Sequence, residues 1–130
     1  MKLFLDSCVV IYLVEQVEPW WESIDDTLSE AVFDRLVISD LVRMECLVGP
    51  YRRGDSTTED AFLQYFTGCE YAPINAPVFD LAARLRAGHG LKTTDAIHLA
   101  AALESGCDEL WTNDGRFARA AARTTIRQFA

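Results

Sequence analysis

Lys2-Leu3-Phe4-Leu5-Asp6-Ser7 opens the chain with an unbroken apolar triplet that ends in a carboxylate. Such a run suits a central parallel strand covered on both faces, and periodicity alone does not separate it from a buried helix. The next residues decide between them. Asp6-Ser7 interrupts the apolar run before Val9-Val10-Ile11-Tyr12-Leu13-Val14 resumes it. In open α/β sheets ligands sit at the carboxyl ends of the strands, so Asp6 is the first candidate functional residue.

Outward from this strand, residues 8 to 15 read as a short helix ended near Pro19, because the residue before a proline is pushed out of the helical region. A second helix is expected from Trp20 to Leu36, with Trp21, Ile24, Leu28, Ala31 and Val32 on one side and Glu22, Asp25, Asp26 and Glu30 around the other. That acidic side is read first as a solvated surface and alternatively as a docking face for a basic partner. Leu36-Val37-Ile38 comes next as a strand. Ser39 then caps a helix from Asp40 to about Val48, with Gly49-Pro50 as its stop.

Tyr51 to Thr58 reads as a loop, and Ser56, Thr57 or Thr58 caps a helix to about Phe66. In that helix Ala61, Phe62, Tyr65 and Phe66 form a core stripe. Tyr71 to Ile74 is a short strand or extended connection, and Asn75-Ala76-Pro77 begins a helix that ends at Gly88-His89-Gly90. Leu91 to Leu103 is a helix capped by Thr93 or Thr94 and apolar on nearly every side. Glu109 to Thr112 is a further strand, Thr112-Asn113-Asp114-Gly115 its turn, Phe117 to Ala122 a helix, and Thr124 to Phe129 a final edge strand. Strands alternating with helices predict an α/β fold with a mostly parallel sheet and right-handed crossovers.

The bulk properties narrow the possibilities. A chain of 130 residues is expected to form one domain, 1–130, and at this size to bury about two-thirds of its unfolded surface. Half the residues are hydrophobic, yet no stretch approaches the ~18 uncharged apolar residues of a membrane span. Asp6 and the acids from Glu15 onward spoil a signal-peptide reading, so the expectation is a soluble, cytoplasmic protein. Cys8, Cys46, Cys69 and Cys107 stand singly, without the close pairs of a zinc or redox motif, which predicts reduced buried thiols. The net charge of −8 argues against generic nucleic-acid binding through a basic surface. Residues 1–34 hold eight acids and one base, and residues 35–130 hold twelve and eleven. If metal neutralises some of those twelve, the remainder of that portion presents a net positive surface.

Three further acids need explaining. Leu41 lies four residues before Glu45 and Val48 three after it, so Glu45 is expected on a face shared with apolar side chains. Burying an ionised acid is costly unless it is paired or bound to a cation, and an arginine salt bridge competes evenly with metal binding as the reason. Asp95 falls in the first turn of its helix, where the helix dipole alone favours a carboxylate. His98, one turn later on the same side, reads as a hydrogen-bonded, semi-buried histidine before it reads as a ligand. Asp114 lies in a turn that is common without any function. Arg84, Arg86 and Lys92 gather around the Gly88–Gly90 break as a local basic patch.

If the first strand and Glu109–Thr112 end side by side, Asp6 and Asp114 meet, and the helices bearing Glu45 and Asp95 aim into the same cleft. Four converging acids raise one another's pKa unless a cation balances them. Magnesium or manganese does so with oxygen ligands, and the matching chemistry is metal-assisted phosphodiester hydrolysis.

Leu-Asp-Ser at 5–7, Glu45 on a helix after Ile-Ser, Thr-Thr-Asp-Ala-Ile-His-Leu-Ala at 93–100 and Leu-Trp-Thr-Asn-Asp at 110–114 resemble, in order and spacing, the motifs of PIN-domain ribonucleases. The resemblance spans essentially the whole chain, whose length is similar to that of VapC-type toxins of toxin–antitoxin modules. It implies a PIN-like three-layer α/β/α fold and a Mg2+- or Mn2+-dependent endoribonuclease with Asp6, Glu45, Asp95 and Asp114 as catalytic and metal-binding residues. It also implies Thr112 and Ser7 as their supports, a homodimer and an inhibiting antitoxin. Some relatives carry another acid just after the fourth, where this chain has Gly115 and Arg116. Arg52, Arg53, Arg86, Lys92 and Arg116 are the candidate contacts to RNA, read through shape or single-stranded loops rather than along a duplex.

Other classes compete with this reading. A PIN-like module that binds RNA or protein without catalysis would share the fold. A phosphoacceptor signalling domain needs a lysine near the end of a later strand, and Leu110-Trp111-Thr112 has none. A phosphatase with an aspartate nucleophile wants a second Asp two residues after the first, where Cys8 stands.

Overall fold

Parallel pairing organises the molecule. A computed structural model describes residues 1–30, 33–115, 117 and 125–129. Its elements are β1 (Lys2–Leu5), α1 (Ser7–Glu15), α2 (Trp20–Glu30), β2 (Arg35–Ile38), α3 (Asp40–Arg53), α4 (Ser56–Phe66), β3 (Glu70–Tyr71), α5 (Ala76–His89), α6 (Thr93–Glu104), β4 (Glu109–Thr112) and β5 (Thr125–Gln128). The five strands form one sheet in the order β3-β2-β1-β4-β5, and every pairing is parallel. This is the three-layer α/β/α architecture with a parallel central sheet that the sequence predicts.

β1 is central because both its faces are apolar: Leu3, Phe4 and Leu5 are fully buried, and Leu110 and Trp111 of β4 lie buried beside them. Burial of this kind is what an all-parallel sheet requires. The chain leaves β1 toward β2 and β3 on one side and reaches β4 and β5 on the other. The strand order therefore reverses at β1, and sheets of this kind take their ligands beyond the carboxyl ends of the strands at such a point, here β1 and β4. No described helix is long and apolar enough to cross a membrane.

Four local expectations change. Residues 35–38 are strand, so the second helix does not run to Leu36; it is described as far as Glu30, and Ala31 and Val32 lie outside the described residues. Arg35 pairs with Glu70, joining the first residues of β2 and β3. The third helix continues through Gly49-Pro50 to Arg53. Pro50 is buried, so one more turn adds apolar burial against the loss of one backbone bond, and Gly54 in the left-handed conformation ends the helix (φ 62°). Tyr51–Arg53 are thus helical rather than loop, and Asp55, not Ser56, Thr57 or Thr58, caps α4 by accepting from the Thr58 N–H at 3.0 Å. Lys92 takes the cap position of α6 without a side-chain bond, because Thr93 and Thr94 already belong to its first turn. Ser39 caps α3 as predicted, and α5 begins at the predicted Asn75-Ala76-Pro77, with Asn75 as its cap. β5 is an edge strand as expected, whereas the helix expected over Phe117 to Ala122 falls largely outside the described residues.

Candidate functional site

Asp6 stands where β1 turns into α1. Its own N–H donates to the Trp111 carbonyl at 3.0 Å, carrying the β1–β4 pairing one residue past the strand. Its side chain caps α1: Oδ1 accepts from the Ser7 N–H at 2.8 Å, and Oδ2 accepts from the Thr112 hydroxyl at 2.7 Å. Both oxygens are thus engaged in a place that is only 7% exposed. Thr112 itself is fully buried at the end of β4, and its Oγ1 accepts from the Asp114 N–H at 3.1 Å. Thr112 thus ties the turn carrying Asp114 to the Asp6 carboxylate.

Glu45 approaches from α3. The buried face of that helix is Val42, Cys46, Leu47 and Pro50, so the expected Leu41–Glu45–Val48 stripe is not the core face. Val48 is exposed, with Met44 and Tyr51, and Glu45 stands half-buried at the margin between the two faces. Its Oε1 lies 2.6 Å from Nε2 of His98, which comes from α6 and is 1% exposed. The same Nε2 is 3.6 Å from Asp6 Oδ1. One ligand atom each from Asp6, Glu45 and His98 lies within 4.8 Å of the others. Two carboxylate oxygens and an imidazole nitrogen at this spacing form a donor set that fits a divalent transition ion.

The electrostatics arise from this contact. Burial alone would raise the Glu45 carboxyl, but the His98 hydrogen bond and charge, with a bond from Ser7, outweigh it and hold Glu45 below its ordinary value. Burial alone would lower His98, but the Glu45 bond and the charges of Asp6, Glu45 and Asp95 outweigh it and raise the imidazole. The Cys8 thiol, near Asp6 Oδ2 at 3.6 Å, is pushed up to about 12 by burial and by the Asp6 charge. It is protonated at neutral pH and no nucleophile.

A PIN-domain family model matches residues 3–123. The chain belongs to the PIN-domain family. Members of that family are nucleases. Among solved structures, this PIN domain is similar to the VapBC2 complex from Rickettsia felis bound to a promoter DNA fragment (TM-score 0.79, 15% identity, covering 100% of both chains). It is also similar to a toxin–antitoxin complex from Klebsiella pneumoniae (TM-score 0.74, 24% identity, 91% of both chains). A third similar structure is VapC20 from Mycobacterium tuberculosis, a toxin that cleaves the sarcin–ricin loop (TM-score 0.75, 17% identity, 92% of this chain and 95% of that one). No curated protein matches the sequence.

Of the four acids singled out in the sequence, the PIN fold brings Asp6 and Glu45 into one group. Asp95 lies one turn before His98 and adds to the negative field on it, and Asp114 reaches the site through Thr112; neither is among the three residues whose ligand atoms share the 4.8 Å span. Ser7 supports the site doubly, at Asp6 through its N–H and at Glu45 through its side chain. The residue underweighted in the sequence is His98. Its three-residue spacing from Asp95 was the available signal, but only the fold carries α6 against α3 and so sets the ring against Glu45. Of the candidate RNA contacts, Arg52 and Lys92 are exposed. Arg53 is engaged with Glu15 at 3.3 Å and Asp55 at 3.6 Å, and Arg86 Nε donates to the Leu91 carbonyl at 3.0 Å. Arg116 lies outside the described residues.

Proposed function

We propose that this PIN domain is a metal-dependent endoribonuclease that hydrolyses RNA phosphodiester bonds, and that its 130 residues act as one unit, the toxin of a type II toxin–antitoxin pair. The observation that carries the reading is the meeting of Asp6 and Glu45 with His98 beyond the carboxyl ends of β1 and β4. Asp6, Glu45, Asp95 and Asp114 are the acidic set that would hold Mg2+ or Mn2+. The cation would supply charge neutralisation at the scissile phosphate and activation of the attacking water.

The chain's own residues do the remaining work. Ser7 and Thr112 fix the Asp6 carboxylate through bonds to its two oxygens, so its geometry does not depend on substrate. Glu45, held by His98 and only partly covered, keeps an ionised edge beside Asp6. Asp95 reinforces the negative field from α6, and the Thr112 contact keeps Asp114 at the same strand end. Arg52, Arg53, Arg86, Lys92 and Arg116 are assigned to the RNA backbone.

The partner reading draws support from the similar structures, several of which are toxin–antitoxin complexes. Met44, Val48 and Tyr51 leave an exposed apolar stripe along α3, a surface of the kind a protein partner covers. An antitoxin and a second copy in a homodimer are the partners assigned. With four free cysteines, the cytoplasm is the compartment we assign.

The test is cleavage of a structured RNA by the purified chain with manganese or magnesium and with a chelator. Asp6→Asn and Asp95→Asn should each slow cleavage by about a hundredfold or more, as expected for loss of several kcal/mol of charge stabilisation. Cleavage undiminished in both variants, or unaffected by the chelator, would remove the assignment; RNA retained but uncut by the native chain would leave a binding module instead.

A further inference from the structure

In a nuclease centre built only from carboxylates, the donors are all oxygens and magnesium suffices. Here a nitrogen stands among them. His98 is the most buried member of the group, 1% exposed against 7% for Asp6, and its Nε2 faces Glu45 Oε1 at 2.6 Å and Asp6 Oδ1 at 3.6 Å. The ring is held from behind: His98 sits on the buried face of α6 with Leu99 and Ala102, and the Phe4 ring packs at 6.2 Å. The imidazole edge is therefore placed by the core rather than by a flexible surface contact. Nδ1 is buried and makes no hydrogen bond among the described residues, so the ring's one polar contact is made by Nε2, toward the two carboxylates.

We propose that His98 is a metal ligand of this site, and that its Nε2 makes the centre select a first-row transition ion such as Mn2+ over Mg2+. The inference rests on the nuclease reading and adds to it the identity of the ion and a further ligand. Without an ion, the Nε2 hydrogen satisfies Glu45. With one, the lone pair of Nε2 would bind the ion, the ring hydrogen would move to Nδ1, where no described residue accepts it, and Glu45 would share the ion instead of that hydrogen. Imidazole nitrogen is a good ligand for transition ions and a poor one for magnesium, which prefers oxygen and holds its waters tightly.

The experiment is pulsed electron paramagnetic resonance on the tag-free full chain loaded with Mn2+. Nitrogen-14 modulation of the bound Mn2+ signal is expected in the native chain and its loss in His98→Gln with Mn2+ still bound. Because His98 is in the core and its variant risks misfolding, a second arm leaves it intact. The chain has two histidines, and His89 is exposed at the end of α5. His89→Gln grown with nitrogen-15 histidine should show nitrogen-15 coupling in place of nitrogen-14. About a tenfold excess of Mg2+ should leave the Mn2+ bound. Bound Mn2+ with no nitrogen coupling, coupling that stays nitrogen-14 in the labelled chain, or displacement by that magnesium would overturn the inference while leaving the nuclease reading in place. A native chain that binds Mg2+ but no Mn2+ would overturn the inference alone, and one that binds neither ion would overturn both.

Discussion

At the scale of single residues, Glu45 and His98 make each other's charge state. In the folded, metal-free chain Glu45 titrates below its ordinary 4.5 and His98 above its ordinary 6.5, each because the other is near. The Glu45 contribution to stability is present above its unfolded value and is lost as the pH falls through its lower folded value. The His98 contribution is full below its unfolded value and is lost as the pH rises through its higher folded value. The pair therefore stabilises the chain most between about 4.5 and 6.5. With chelator present, the melting temperature at about pH 5.5 should exceed that at about pH 8.5, and Glu45→Gln should shrink the difference. An equal difference in the variant would show that the pair does not contribute. This contact was not legible in the sequence, where 53 residues separate the partners and a lone histidine on an apolar helix is most often simply packed. Asp6 was legible, because a carboxylate directly after a buried apolar run leaves few other places for it than a strand end.

At the scale of elements, the boundaries depended on competition between local signals and burial. Ser39 and Asn75 are caps in which the local signal won, since nothing opposes a side chain bonding the first free N–H groups. Gly49-Pro50 is a stop signal that lost. Proline forbids one backbone bond, yet Pro50 is buried in the face that also holds Cys46 and Leu47, and the helix ends one turn later at Gly54. The left-handed backbone at Gly54 is what a side chain resists: a Cβ there would meet no atom within 4 Å, so only conformational strain would be added. Gly54→Ala should lower unfolding stability by about 1 kcal/mol in urea titration. It should leave ion binding unchanged, since Gly54 lies more than two helical turns beyond Glu45. A variant as stable as the native chain would contradict the capping role.

At the scale of the whole molecule, the alternation of strands and helices made the parallel α/β class readable, and the all-apolar Leu3-Phe4-Leu5 marked the central strand. The strand order was not readable from any one segment, because it depends on pairings between residues more than a hundred positions apart, such as Leu3 with Glu109. That order matters for function. It sets β1 beside β4 and so puts Thr112 against Asp6, while the packing of α3 and α6 brings Glu45 and His98 to the same carboxylate. If this convergence creates one cation site, removing either carboxylate must weaken the same binding event. Calorimetric titration of the chelator-treated chain with manganese reads that event, comparing native protein with Asp6→Asn and Glu45→Gln. Saturable binding that weakens by about tenfold or more in each variant is the predicted result; affinity unchanged in both, or no binding by the native chain, would contradict it.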